Sequence, residues 1–355
     1  MSGGIEFYVS SLTLLFGINL IAVWGLDLQY GVTGIFNFAY IIFQAAGAYA
    51  DGILSLHPAN FYQAGETYVG GFHLPFPLPL LGATVAGGLL AVPVSFIVRR
   101  LRGDYQAMAL LVLSLIATAF VTAQTNFLDG SLGLSFIPKP LYGSVLPASP
   151  VSYQWYYCAF VAFVALMVFF MVRAIVTSPF GRVLRAVRDS ETAVASLGRS
   201  AHRARYIIFI FGGALAGLSG GLFVQYITSW TPTGWLYPET FLFLTAIVVG
   251  GAANLGGNVL GTLLVIIGIQ EATRFLPQVV YPGLIDSLDW VVIGLALLAF
   301  LWFRPKGLVP ERRRTLARFV PGQRRTADDL LLGTAAASGA LAEVPDIGQP
   351  RSDES

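Results

Sequence analysis

The feature that most limits this chain is where its charges fall. Between Phe7 and Phe303 the charged side chains gather in short clusters, and the stretches between them are almost wholly apolar. An apolar run of about 20 residues matches the thickness of a bilayer when it is coiled into a helix. A helix is also the form in which such a run satisfies its own peptide groups where no water reaches them. Runs of this kind lie at 7–24, 31–55, 78–98, 105–127, 153–173, 204–227, 239–255, 257–276 and 286–303. The expected fold is therefore an all-α, polytopic transmembrane helical bundle of about eight to ten spans, with nine the favoured count. The first two runs and the pair around Gly250–Gly261 are the places where a broken or re-entrant helix is expected. Only 11% of the 355 residues are charged, against about 25% in soluble domains. A soluble enzyme and a disordered chain are excluded. A net charge of +2 gives no reason to expect a nucleic-acid partner.

The basic residues set an orientation. Three arginines lie at 99–102, seven at 173–205, and eight basic residues at 304–325, together eighteen of the 21 Lys and Arg. The span count puts all three clusters on one side, which the positive-inside rule makes cytoplasmic. The C-terminus is expected there, and nine spans place the N-terminus outside. Met1–Glu6 lacks a basic leader, so the first run is expected to stay as a membrane helix. The opposite loops are rich in Pro, Gly and aromatic residues. The tail from 311 lacks a helical stripe and is expected to be a cytoplasmic, disordered segment, separate from a transmembrane body at 1–310.

Chemistry-bearing motifs are few. The only lysines are Lys139 and Lys306, and neither sits in a phosphate-binding loop. His57, His73 and His202 have no metal-ligand spacing, and the single cysteine, Cys158, cannot form an internal disulfide. No cofactor, metal or catalytic group is expected in the chain itself. Ionisable residues at membrane depth are default functional candidates. Asp27, Asp51, Glu239 and the Glu271–Arg274 pair are the ones present. They form no relay across the membrane, which argues against a proton- or sodium-coupled carrier. Asn19, Asn37, Gln44 and Asn254 are polar side chains within spans. They either line a solute path or join helices by hydrogen bonds. Gly213, Gly217 and Gly221 repeat every four residues, as do Gly257 and Gly261, a spacing that lets helix backbones approach closely. Gly250, Gly251 and Gly257 can also interrupt a helix and act as a hinge.

The segment 178–203 stands apart. Val183, Val187, Val194 and Leu197 follow helical spacing, and most of the arginines lie off that stripe. Asp189 or Ser190 can cap a short helix, Glu191 suits its positive end, and Gly198 can terminate it. By itself this describes two short amphipathic helices on a cytoplasmic surface, either resting on anionic lipid or docking a partner.

The wording of the segment is specific. Phe180-Gly-Arg182, Leu184-Arg-Ala-Val-Arg-Asp189, Glu191, Ala193 and Leu197-Gly198 resemble the cytoplasmic coupling loop of the branched-chain amino acid permease family of ABC importers. So do Gly25–Gly31, Gly34–Ala39, Phe211–Phe223, Ile247–Gly261 and Phe303–Leu308, so that the resemblance spans about residues 15–310. Tyr40, Ala252 and Val194 depart from the family pattern. The resemblance implies a bacterial inner-membrane importer subunit that works by alternating access. It implies a homologous second permease subunit, two ABC ATPase subunits and an extracytoplasmic solute-binding protein. It also implies an ATPase-coupling role for Arg185, Arg188, Asp189, Glu191, Ala193, Leu197 and Gly198. The implied solute is a branched-chain amino acid, with urea or a short amide as the other solutes this architecture serves. A carrier or channel working without ATPases, or a membrane scaffold, is the competing reading of the hydropathy.

Overall fold

A computed structural model of the chain describes residues 2–58, 70–101, 103–142, 149–269, 271–272, 284–304 and 306–311. Arg274 and the expected tail beyond Glu311 lie outside the described residues. The α-helices described are α1 (Ser2–Asp27), α2 (Tyr40–Ser55), α3 (Leu78–Arg100), α4 (Asp104–Ala123), α5 (Thr125–Leu128) and α6 (Pro150–Thr177). They continue with α7 (Pro179–Asp189), α8 (Glu191–Ser196), α9 (Ala201–Ile227), α10 (Pro238–Gly250), α11 (Leu255–Thr262) and α12 (Leu284–Phe303). The described residues form no strand, and one bridge pairs Leu134 with Trp230 across the end of the bundle.

Among the described residues, five segments are long and apolar enough to cross a membrane: Gly4–Val32, Leu78–Arg100, Asp104–Ala123, Ser152–Thr177 and Ala201–Ile227. Of the other predicted runs, α2, α10 and α11 are shorter helices, and α12 is 20 residues long. The expected continuous span at 31–55 is a correction: its helical part is only Tyr40–Ser55. The preceding residues belong to a π-helical extension of α1 (Leu28–Val32) and to a non-helical stretch through Ala39. The run at 239–255 ends as a helix at Gly250, and α11 passes into a π-helical turn at Leu263–Ile269. Gly34 and Gly251 cause the two breaks, with φ of +76° and +118°, values at which a residue with a side chain is strained.

Long-range contacts give each segment a direction. At one end Tyr8 Oη donates to Glu271, joining the start of α1 to the far end of the π turn after α11. At the other end Asp27 accepts from the Ala253 N–H at 2.8 Å. Gln106 at the start of α4 donates to Phe36 O at 3.3 Å, and Arg205 at the start of α9 donates to Gln106. Leu308 N donates to Val249 O at 2.8 Å, after the end of α12. The described residues of all three basic clusters, Arg99 and Arg100, the arginines of 173–205, and Arg304 and Lys306, reach this second end, here called the basic end.

The helix α9 is the axis. In its apolar window 72% of residues are buried, against 22% in α4. Without a hydrophobic drive between helices in lipid, close backbone packing and polar bonds must hold them. A Cβ on Gly47 would collide with the Gly217 backbone, and one on Gly213 would stand 2.7 Å from the Ala91 Cβ. One on Gly221 would stand 2.8 Å from the Ala83 Cβ. Helices α2, α3 and α9 therefore touch backbone to backbone along a glycine seam. Gly250, Gly257 and Gly261 do the same for α10 against α11, where a Cβ on Gly257 would lie 3.0 Å from the Gly250 carbonyl carbon. By contrast α4 and α6 turn Met108, Ile116, Phe120, Phe163 and Phe170 outward, each more than half exposed, as lipid-facing side chains would be.

Candidate coupling site

At the basic end four pieces of chain meet. The first is the segment α7–α8. Pro179 opens α7, and the Ser178 hydroxyl accepts from Gly181 N at 3.2 Å. Ser190, not Asp189, caps α8 by accepting from Ala193 N at 3.3 Å, and Ser200 caps α9 by accepting from Arg203 N at 3.4 Å. Each cap satisfies a donor that the first helical turn leaves open. Gly198 lies in the left-handed region at φ +73° with open space around it. Leu184, Val187 and Val194 are buried, and Leu197 is 81% exposed. The apolar stripe read from the sequence thus divides: Val187 and Val194 face the bundle, Val183 is half-buried, and Leu197 faces out beside exposed Ala193 and Ala195.

The second piece is the break after α1. Gln29 and Asn37 are fully buried. Asn37 Nδ2 donates to Gln29 Oε1 at 2.7 Å, and Gln29 Nε2 donates to Phe209 O of α9 at 2.9 Å. Asn37 Oδ1 also accepts from Ala39 N at 3.1 Å. A non-helical backbone at membrane depth is tolerated only when bonded in this way. The third piece is the break at 251–254. Asn254 caps α11, accepting from Gly256 N at 3.1 Å and Gly257 N at 3.2 Å. Its amide donates to the Val309 and Pro310 carbonyls at 3.1 and 3.2 Å.

The fourth piece is the stretch 306–311. Val309 N donates to Gly250 O at 3.0 Å, and Gly307 has φ of +69° where it crosses Gly251. Glu311 then reaches α7. Its carboxylate is 3.1 Å from Arg185 Nε and 2.9 Å from an Arg188 nitrogen. The other arm of Arg188 donates to the Gly31 carbonyl. On the next helix Glu191 lies 3.7 Å from His202 and 3.6 Å from Arg205, which ties α8 to α9.

Arg188 is thus the meeting point of α7, the first break and the 306–311 stretch. Asp27 joins the first break to the second. Of the residues singled out from sequence, Arg185, Arg188 and Glu191 face the bundle. Asp189 is exposed, with an oxygen 3.6 Å from Arg188, and Ala193, Leu197 and Gly198 face outward. Asn37 and Asn254 belong to the two breaks. Asn19 donates within α1 to Leu15 O at 2.9 Å, and Gln44 is buried in α2. The structure does not bring these four polar residues together. Sequence reasoning missed Glu311 and the roles of Asp27 and Gly31. The last two stand in the motif Gly25–Gly31, but their partners are hundreds of residues away.

A family model described as the branched-chain amino acid transport system permease component matches residues 8–301. The chain belongs to that permease family. Relatives include the high-affinity branched-chain amino acid transport system permease protein LivM of Escherichia coli, 29% identical over 87% of this chain and 71% of the relative. The probable LivM protein of Methanocaldococcus jannaschii is 26% identical over 86% of this chain and 94% of the relative. The guanosine ABC transporter permease protein NupQ of Bacillus subtilis is 26% identical over 49% of this chain and 56% of the relative. No solved structure matches. The permease is a multi-pass membrane subunit of an ABC importer, not an enzyme, and its ATPase activity resides in separate subunits. ATPase, binding-protein and second-permease partners accompany such a subunit.

Proposed function

We propose that this permease carries a branched-chain amino acid across a bacterial inner membrane, in a complex of two permeases and two ATPases. The basic end, with the C-terminus, faces the cytoplasm, and solute passes between the two permeases by alternating access. Residues 1–310 form the permease body and the tail from 311 extends into the cytoplasm. Asp189, Ala193, Leu197 and Gly198 meet an ATPase groove. Arg185, Arg188 and Glu191 pass its movement to the spans. Gly213, Gly217, Gly221, Gly250, Gly251, Gly257 and Gly261 are the contacts about which helices shift. Asn19, Asn37, Gln44 and Asn254 serve the path, two of them by shaping its broken helices.

The observation that carries this reading is the two-sidedness of α7–α8: an inner face bonded to the first helix break at Gly31 and to Glu311 of the 306–311 stretch that binds the second break, and an outer face that leaves Leu197 uncovered. A passive interfacial helix has no need of bonds to the re-entrant segments. The test is leucine uptake into energised vesicles. Glu191→Ala and Leu197→Asp are expected to lower ATP-dependent uptake at least tenfold while the complex still forms or, for Leu197→Asp, loses its ATPase. Uptake indifferent to both changes and to ATP depletion would rule the reading out. Guanosine competing where leucine does not would overturn the solute alone.

A further inference from the structure

A second feature of the basic end lies beside the coupling contacts. A cavity of about 510 Å³ opens between the end of α3 and the start of α9. Arg99, His202, Arg203 and Arg205 line one part of it, and Phe96 and Tyr206 line another. Among the described residues no carboxylate lines it. Arg205 is held by Glu191 at 3.6 Å and by Gln106. Arg99 and Arg203 are exposed and form no ion pair with a described residue. Phe96 and Tyr206 meet edge to face with ring centroids 6.3 Å apart, and they stay 56% and 38% exposed.

The level of the cavity identifies its occupant. Arg99 is in the last turn of Leu78–Arg100 and Arg203 in the first turn of Ala201–Ile227, both of membrane-crossing length. Their guanidinium groups therefore sit where headgroup phosphates lie, and the two rings sit one turn deeper, where acyl chains begin. Guanidinium binds phosphate through paired hydrogen bonds, and basic pockets between spans on the cytoplasmic side suit anionic headgroups. We propose that this cavity binds an anionic phospholipid, with its phosphate on Arg99 and Arg203 and an acyl chain along Phe96 and Tyr206. A free phosphate group shares the headgroup chemistry, but it would leave the aromatic wall uncovered. Because His202 and Arg205 also contact Glu191, a bound lipid would brace the joint between α8 and α9. The cavity lies within this one chain, and neither the solute nor the identity of the ATPase enters the proposal.

The test is native mass spectrometry of the full-length chain with its co-purifying subunits, after equilibration in vesicles of equal phosphatidylglycerol and phosphatidylcholine. Phosphatidylglycerol is expected to be retained preferentially, and the Arg99→Gln/Arg203→Gln variant to lose roughly tenfold or more of that preference. Arg99→Lys/Arg203→Lys, which keeps the charge, is expected to recover most of it and shows that loss is not misfolding. Equal retention of the two lipids, or a preference the Gln variant leaves intact, overturns the proposal. Displacement by excess inorganic phosphate assigns a free-anion site and overturns the lipid. Loss of a co-purifying ATPase from the Gln variant with lipid retention unchanged assigns the arginines to protein docking.

Discussion

Arg188 illustrates how much can rest on one side chain. It bonds Gly31 with one arm and Glu311 with the other, and both it and Glu311 are largely shielded, 23% and 19% exposed. Shielded pairs are screened less than surface ones. Changing either Arg188→Gln or Glu311→Gln is expected to lower uptake by roughly tenfold, and the double change to be little worse than the worse single change. Uptake rates in matched vesicles measure this; strictly additive losses would separate the two residues. Glycines divide by the same logic. Gly217→Leu puts a side chain into the α3 backbone and is expected to cost more than about 3 kcal/mol, seen as loss of folded protein from the membrane fraction. Gly198→Ala meets only the left-handed backbone, which costs about 1 kcal/mol, and is expected to leave the level unchanged. The sequence made the arginines and Gly198 legible because helix periodicity and capping are local. Glu311 was not legible, because its partners lie 123 residues away and it stands at the start of a stretch read as tail.

At the scale of the element, the two breaks carry the lesson. Hydropathy averages over a window, so a run such as 31–55 reads as one span even when its first third is non-helical. What marks the break is a buried polar pair, Gln29 and Asn37, together with Gly34 at positive φ. Either signal alone also occurs in unbroken helices. The membrane-length helices were legible for the opposite reason: their composition is uniform, and charge is confined to their ends. The caps can be tested. Ser190→Ala is expected to loosen α8 by about 1 kcal/mol and to lower uptake several-fold without changing the protein level. Ser190→Asp, which can still accept from Ala193 N, is expected to restore it. A restored rate with Ala as well would mean that the α8 cap does not matter to transport.

The whole molecule is polarised. Basic clusters, both helix breaks and the short helices α7 and α8 share one end, and the aromatic loop around Leu132 and Phe136 lies at the other, where Leu134 pairs with Trp230 at 2.9 Å. Such separation is what the proposed orientation requires, with the basic end toward the ATPases and the aromatic loop on the opposite side of the membrane. Single cysteines at positions 132 and 197 in a Cys158→Ala background are expected to react with an impermeant maleimide from opposite sides of the membrane. Labelling from the same side would contradict a crossing by Ser152–Thr177 between them. The most direct test of the central claim uses the same Leu197→Cys chain, cross-linked in native membranes and resolved by mass spectrometry. The account predicts a cross-link from position 197 to a P-loop ATPase that changes in yield when ATP is bound. A position 197 that reaches only lipid or another copy of this chain, in a preparation that still transports, would contradict it.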